Sequence, residues 1–302
     1  MRASLKALLE GVIDYAGLFP PTKLDMSGAV ANYLSYTSGP NEWIVNRFVC
    51  PSSKLQELAT ILDDYPGITN LPVCVIGHTS HDLDAWDDGL ERDVKALNAF
   101  ARSACGKAVV EVYEVRIPSN EHAELCVRDL RSFDQMEVFV ELPWGDGLGA
   151  SLAMIAQSEW LGAKARTGGI TADSYPTCAE LAEFVREAVS LDLAFKLTAG
   201  LHHPLPSVDP ESGARMNGFL NVLAATGFAI SHDLSRSEIE EVLLAEASED
   251  WTFEENRMSW RDCALTIPQI EDCRDYFEAI GSCSVDEPLN DLAALGLMAG
   301  AC

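Results

Sequence analysis

The sequence has no Cys-x-x-Cys pair, few basic residues, and no uninterrupted apolar run of the ~18 residues that a membrane helix needs. Each shortage excludes a class. Nine cysteines, an odd number and widely spaced, speak against a disulfide framework or a thiolate zinc site and favour a reducing, cytoplasmic setting. Residues Met1 to Phe19 carry acids within their apolar stretch and lack a small-residue cleavage site, so no export signal is expected. No P-loop or G-x-G-x-x-G motif follows an expected strand, and no H-x-H or H-E-x-x-H spacing supports a metal centre. Twenty-one Lys and Arg face 47 Asp and Glu, a formal charge of −26 that repels a phosphate backbone. Neither nucleic acid nor a membrane is therefore an expected partner, and the places where the few cations fall become informative.

What is present is a repeated alternation of short apolar strands and amphipathic helices, with 48% apolar and 23% charged residues to build a core and a surface. The expected strands are Tyr15 to Phe19, Trp43 to Cys50, Leu71 to Gly77, Val109 to Ile117, Met136 to Leu142, Ala163 to Thr167, Leu193 to Ala199, and a last one at Gly281-Ser-Cys-Ser. Helices are expected over Met26 to Tyr36, Lys54 to Asp64, Asp88 to Ser103, from near Pro176, over Arg215 to Ala225, and over Pro268 to Ile280. Residues 233–265 break the rhythm with a helix and a hairpin turning at Glu255 and Asn256, and read as an insertion before the last strand. Its Trp251 and Trp260 would suit a cover over the barrel mouth or contact with a second subunit. Eight βα units in series predict an α/β protein built as one (β/α)8 TIM barrel over 1–302.

Charged side chains inside otherwise apolar strands mark the catalytic end of such a barrel. Alternate residues share a face, so Lys164 pairs with Arg166, Lys196 with Thr198, and Glu114 with Arg116, while Glu141 ends strand five. Arg116, Lys164, Arg166 and Lys196 then gather positive charge in an acidic protein, which suits a small anionic metabolite; the competing reading is ion pairs that only tie strands together. A lysine beside a second cation in a partly dry pocket loses its proton more readily and can attack a carbonyl to form a Schiff base. Glu114 or Glu141 would move protons, and Arg116 and Arg166 would hold the anion. His202 or His203, just past strand seven, would serve as an acid–base group, or with His78, Glu141 or Glu114 as a ligand to a divalent metal ion. Asp14 and Tyr15 read as packing at the end of strand one, and Asn221 as a helix-face residue.

Three strings carry a family resemblance. Lys164-Ala-Arg-Thr-Gly-Gly resembles the K-x-x-T-G signature of the deoxyribose-phosphate aldolases, whose strand-six lysine forms the Schiff base. Lys196-Leu-Thr-Ala-Gly is similar to that family's K-x-S-G-G, and Gly281-Ser-Cys-Ser to its phosphate-contacting turn. The resemblance implies a lyase of the class I aldolase type without a cofactor, with Lys164 as nucleophile and Lys196 lowering its pKa. It also implies that Thr167, Gly168, Thr198, Ser282 and Ser284 line the substrate. Glu111 and Glu114 both compete for the family's strand-four acid, bulky Arg166 replaces a small residue, and His202-His203-Pro204 replaces a glycine-rich turn. The expectation is therefore an aldolase-like lyase acting on a small anionic carbonyl compound. Its rivals are a metal-dependent lyase, isomerase or hydrolase, and a non-catalytic binding or assembly protein, as a monomer or a homo-oligomer.

Overall fold

A computed structural model describes residues 1–298. Its strands in chain order are β1 Ile13–Tyr15, β2 Val45–Pro51, β3 Leu71–Ile76, β4 Ala108–Arg116, β5 Glu137–Glu141, β6 Leu161–Arg166 and β7 Phe195–Thr198. They continue with β8 Ser207–Val208, β9 Arg215–Met216, β10 Trp251–Phe253, β11 Arg257–Trp260, β12 Cys263–Thr266 and β13 Phe277–Ser282. Eight of them close a parallel barrel in the order β1-β13-β7-β6-β5-β4-β3-β2, and the α/β (β/α)8 architecture expected from the sequence is the one found. The chain divides into two compact units, Ile13–Ala165 and the combination of Met1–Val12 with the residues from Arg166 onward.

The first of these units carries β1 to β5 and most of β6, with helices α2 Met26–Thr37, α3 Leu55–Leu62, α4 Leu83–Ser103, α5 Ala123–Asp129 and α6 Leu148–Ile155. The strands are apolar and β-branched, and β2 stops at Pro51, which has no N–H to extend the ladder. Side chains alternate between two faces. Tyr113 of β4 points to the helices, donating to Asp93 of α4 and stacking on Phe133. Tyr15 likewise packs on Tyr33, Tyr36 and Phe48. On the opposite face Val49, Cys74, Val112 and Phe139 form one buried cluster, against which Ala16, Phe19 and Ile76 pack. Asp82 caps α4, its carboxylate accepting from Ala85 N at 2.8 Å, so that helix starts five residues before the expected Asp88.

The second unit holds β7 to β13 with α1 Ala3–Leu9, α7 Cys178–Ser190, α8 Phe219–His232, α9 Arg236–Leu244, α10 Ile267–Tyr276 and α11 Asp286–Ala294. Capping boxes begin α7 at Thr177 and Glu180, α9 at Ser235 and Glu238, and α10 at Thr266 and Gln269. Phe184, Phe195 and Phe277 meet edge to face at centroid separations of 5.4 and 5.1 Å. Residues 233–265 are α9 plus a three-stranded antiparallel sheet, one strand more than the expected hairpin. Trp251 and Trp260 oppose each other across β10 and β11 and are buried within the chain.

Three local expectations are corrected. The first strand lies at Ile13–Tyr15, not Tyr15 to Phe19, because residues 17–22 form turns and a bend. Arg215 begins no helix: it pairs with Val208 in a short ribbon, and α8 starts at Phe219, whose first N–H groups bond the carbonyls of His203 and Pro204. Phe277 to Ile280 is strand rather than the end of a helix; Phe277 pairs with Phe195, and that burial outweighs the local helical pattern.

Candidate functional site

Glu114 on β4 and Lys164 on β6 are separated in the sheet by β5, so their side chains meet only over the face turned away from the helices. There Lys164 Nζ lies 2.5 Å from Glu114 Oε2 and 3.1 Å from Glu141 Oε2. Cys74 Sγ donates to the other oxygen of Glu114 at 3.0 Å, and Arg116 reaches Glu141 Oε1 at 3.7 Å. Glu141 and Arg116 are the last residues of their strands, and Glu114 and Lys164 lie two residues from the ends of theirs. The cluster therefore occupies the C-terminal half of the sheet, where barrel enzymes carry their chemistry. Lys164, Glu114 and Glu141 are 5, 2 and 6% exposed, whereas the Arg116 side chain is 45% exposed and opens to solvent.

Burial alone would push the Lys164 ammonium towards its neutral form. Glu114 and Glu141 more than offset this, and the net shift is upward. The lowered pKa expected from a neighbouring lysine is thus corrected: the carboxylates dominate, and the resting residue is an ammonium. Asp14, 1% exposed, accepts from Arg47 N at 3.1 Å, and its ligand atom lies within 4.8 Å of those of Cys74 and Glu114. The same carboxylate and thiol group suits a cation, and Lys164 already provides a positive charge on Glu114. Towards the N-terminal ends of the strands Arg47 pairs with Glu111 at 2.9 Å and lies 3.9 Å from Glu137. That contact assigns Glu111 to a different ion pair and leaves Glu114 as the acid beside Lys164.

The remaining expected residues belong to the other unit. Lys196 is fully buried on β7. Arg166 donates through Nε to Gly168 O at 2.9 Å, which engages part of the fork expected to hold an anion. The Thr167 hydroxyl donates to Ala199 O, and a Cβ on Gly168 would lie 2.7 Å from Gly200 N. Gly200 has φ +69 and its own Cβ would overlap Thr167 O. The Thr-Gly and Ala-Gly halves of the two lysine motifs are accordingly a backbone-to-backbone contact that only glycine permits. Thr198 carbonyl oxygen accepts from Thr167 N at 2.8 Å.

His202 and His203 follow β7. Both pair with α11, His202 with Glu287 at 3.2 Å and His203 with Asp291 at 2.6 Å. Ser282 Oγ donates to Ser284 O, and Ser284 Oγ accepts from Glu287 N at 3.2 Å, so both hydroxyls shape the start of α11. Asn221 donates to Val242 O and Ala245 O and ties α8 to the end of α9.

Cys74 on β3 was not foreseen from the sequence, and Asp14 on β1 was read as packing; the two strands flank β2. Sequence reasoning named His78, just after β3, only as a metal ligand and did not foresee the group around it. His78 Nδ1 meets Asp93 Oδ1, His78 N donates to Asp93 Oδ2 at 2.9 Å, and Tyr113 Oη donates to the same oxygen at 2.6 Å. No helix among the described residues is long and apolar enough to cross a membrane. No protein-family model matches the chain, and no curated protein matches it, so the argument for function rests on the geometry of Glu114, Glu141 and Lys164.

Proposed function

We propose that the protein is a lyase of the class I aldolase type that binds a small anionic carbonyl compound and forms a Schiff base through Lys164. The observation that carries this reading is a lysine amine buried at the C-terminal end of the sheet between two carboxylates, next to a solvent-exposed arginine. Arg116 binds the anionic group of the substrate as it enters. Lys164 passes a proton to Glu114 across their 2.5 Å contact, and the freed amine attacks the carbonyl carbon. Glu114 returns that proton to the carbonyl oxygen, which leaves as water together with a second nitrogen-bound proton. The balance is one ammonium and one carbonyl giving one iminium and one water. The iminium then withdraws electrons from the adjacent carbon, the step that C–C cleavage or formation requires.

The test is borohydride reduction in the presence of pyruvate, 2-oxobutyrate, glyoxylate and dihydroxyacetone phosphate, read by intact mass. At least one should give a stable adduct that Lys164→Met abolishes; no adduct with any compound of this class contradicts the proposal. A divalent ion held by Asp14, Cys74 and Glu114 is the second reading, supported by their mutual proximity. Elemental analysis of the purified protein and chelator sensitivity separate the two.

A further inference from the structure

In the Schiff-base reading Glu114 carries a proton between Lys164 and the carbonyl oxygen, and no group has yet been assigned to take a proton from the substrate carbon. His78 supplies one. We propose that His78, clamped by Asp93, is the acid–base residue that moves a proton on and off the carbon next to the iminium; this rests on the Lys164 reading.

Asp93 is fully buried on α4 and accepts from His78 N and Tyr113 Oη, with the His78 ring against its other oxygen. With burial, and then the Asp93 charge, holding the Tyr113 phenol well above its ordinary range, that residue remains a donor to the carboxylate. In the proposed arrangement His78 Nδ1 carries a hydrogen towards Asp93 Oδ1, which leaves Nε2 to act as the base. Ser52 Oγ lies 3.3 Å from the same Nδ1. It therefore faces a protonated nitrogen and is not activated as a nucleophile, which removes a serine-hydrolase reading of this Ser-His-Asp group.

Nδ1 turns towards the helix layer that holds Asp93, and the opposite edge of the ring turns away from it. Nε2 has no hydrogen-bond partner among the described residues, and the side chain is 28% exposed. The register brings the His78 backbone next to the strand position that pairs with Glu114. Ile76 pairs with Glu114, Gly77 N donates to Glu114 O at 2.8 Å, and His78 is the next residue. Two residues of strand rise by about 7 Å, so the His78 backbone lies one layer beyond the position paired with Glu114, towards the strand ends. A Cβ on Gly77 would overlap Tyr113 Oη and lie 2.8 Å from Asp93 Oδ2, so glycine is what lets the strand end approach the carboxylate.

In the proposed step Nε2 takes the proton from the α-carbon, the C–H electrons form the C=C bond, and the iminium π electrons move to nitrogen. The imidazolium is stabilised by Asp93 and returns its proton in the reverse direction. In D2O this exchanges the α-hydrogens of any 2-oxo acid that forms the adduct, a reaction followed by proton NMR with pyruvate and 2-oxobutyrate. His78→Ala should still give the borohydride adduct on Lys164 but exchange at least about 100-fold more slowly, with added imidazole restoring part of the rate. Acylation of wild-type His78 by diethyl pyrocarbonate should do the same to exchange, and it covers the case in which the variant does not fold. An adduct with exchange unchanged by either treatment overturns the role of His78 and leaves the Lys164 reading standing; no adduct in wild type overturns both.

Discussion

Lys164 keeps its charge where burial works against it, because Glu114 and Glu141 surround its nitrogen. Two consequences can be measured. Lys164→Met leaves two carboxylates buried without their cation and should destabilise the protein by about 3–5 kcal/mol at neutral pH in urea denaturation. A group whose folded pKa is raised stabilises fully below its unfolded value, here about 10.4, and loses that contribution as pH rises through the folded value. The gap between wild type and Lys164→Met should therefore hold through neutral pH and close only in alkali. Adduct formation should have the opposite trend, accelerating with pH because the amine must shed its proton first. Parity alone brought Glu114, Arg116, Glu141 and Lys164 together from the sequence. It did not reveal that Cys74 donates to Glu114 or that Asp14 faces the same group, since a single small or acidic residue in a short strand looks the same whether it packs or reacts.

Among elements, the long apolar strands such as β2, β4 and β5 were legible because prolines bound them, whereas β13 was not. Its first residues continue a helical pattern and become strand only because Phe277 is buried beside Phe195. The ribbon of β8 and β9 was missed for a different reason: two residues per strand carry no periodicity. The loops after β6 and β7 explain part of the aldolase resemblance by packing. Gly200→Ala combines a positive φ with overlap on Thr167 O and should cost on the order of 2–3 kcal/mol, seen as a lower urea midpoint with an unchanged slope. Gly213→Ala, also at positive φ but with open space around its Cβ, should cost less. Equal effects would mean that the close approach of the two loops contributes nothing.

Over the whole molecule, the buried thiols of Cys50, Cys126 and Cys273 are each pushed up to about 12 by burial. Unfolded thiols titrate near about 8.5, so the stability these residues supply is complete below that pH and declines as pH rises towards 12. Thermal unfolding should accordingly fall off above about pH 9. At neutral pH the formal charge of −26 implies self-repulsion, and raising salt from about 0.01 to 0.15 M should increase the melting temperature. The barrel as a whole followed from eight counted repeats, while the choice between two lysines on neighbouring strands did not, because spacing places both at strand ends. Lys164 has two carboxylates drawn onto its nitrogen. Peptide mapping of the borohydride-reduced adduct decides the matter: the account predicts the added mass on Lys164, unchanged in Lys196→Met, and an adduct confined to Lys196 would contradict it.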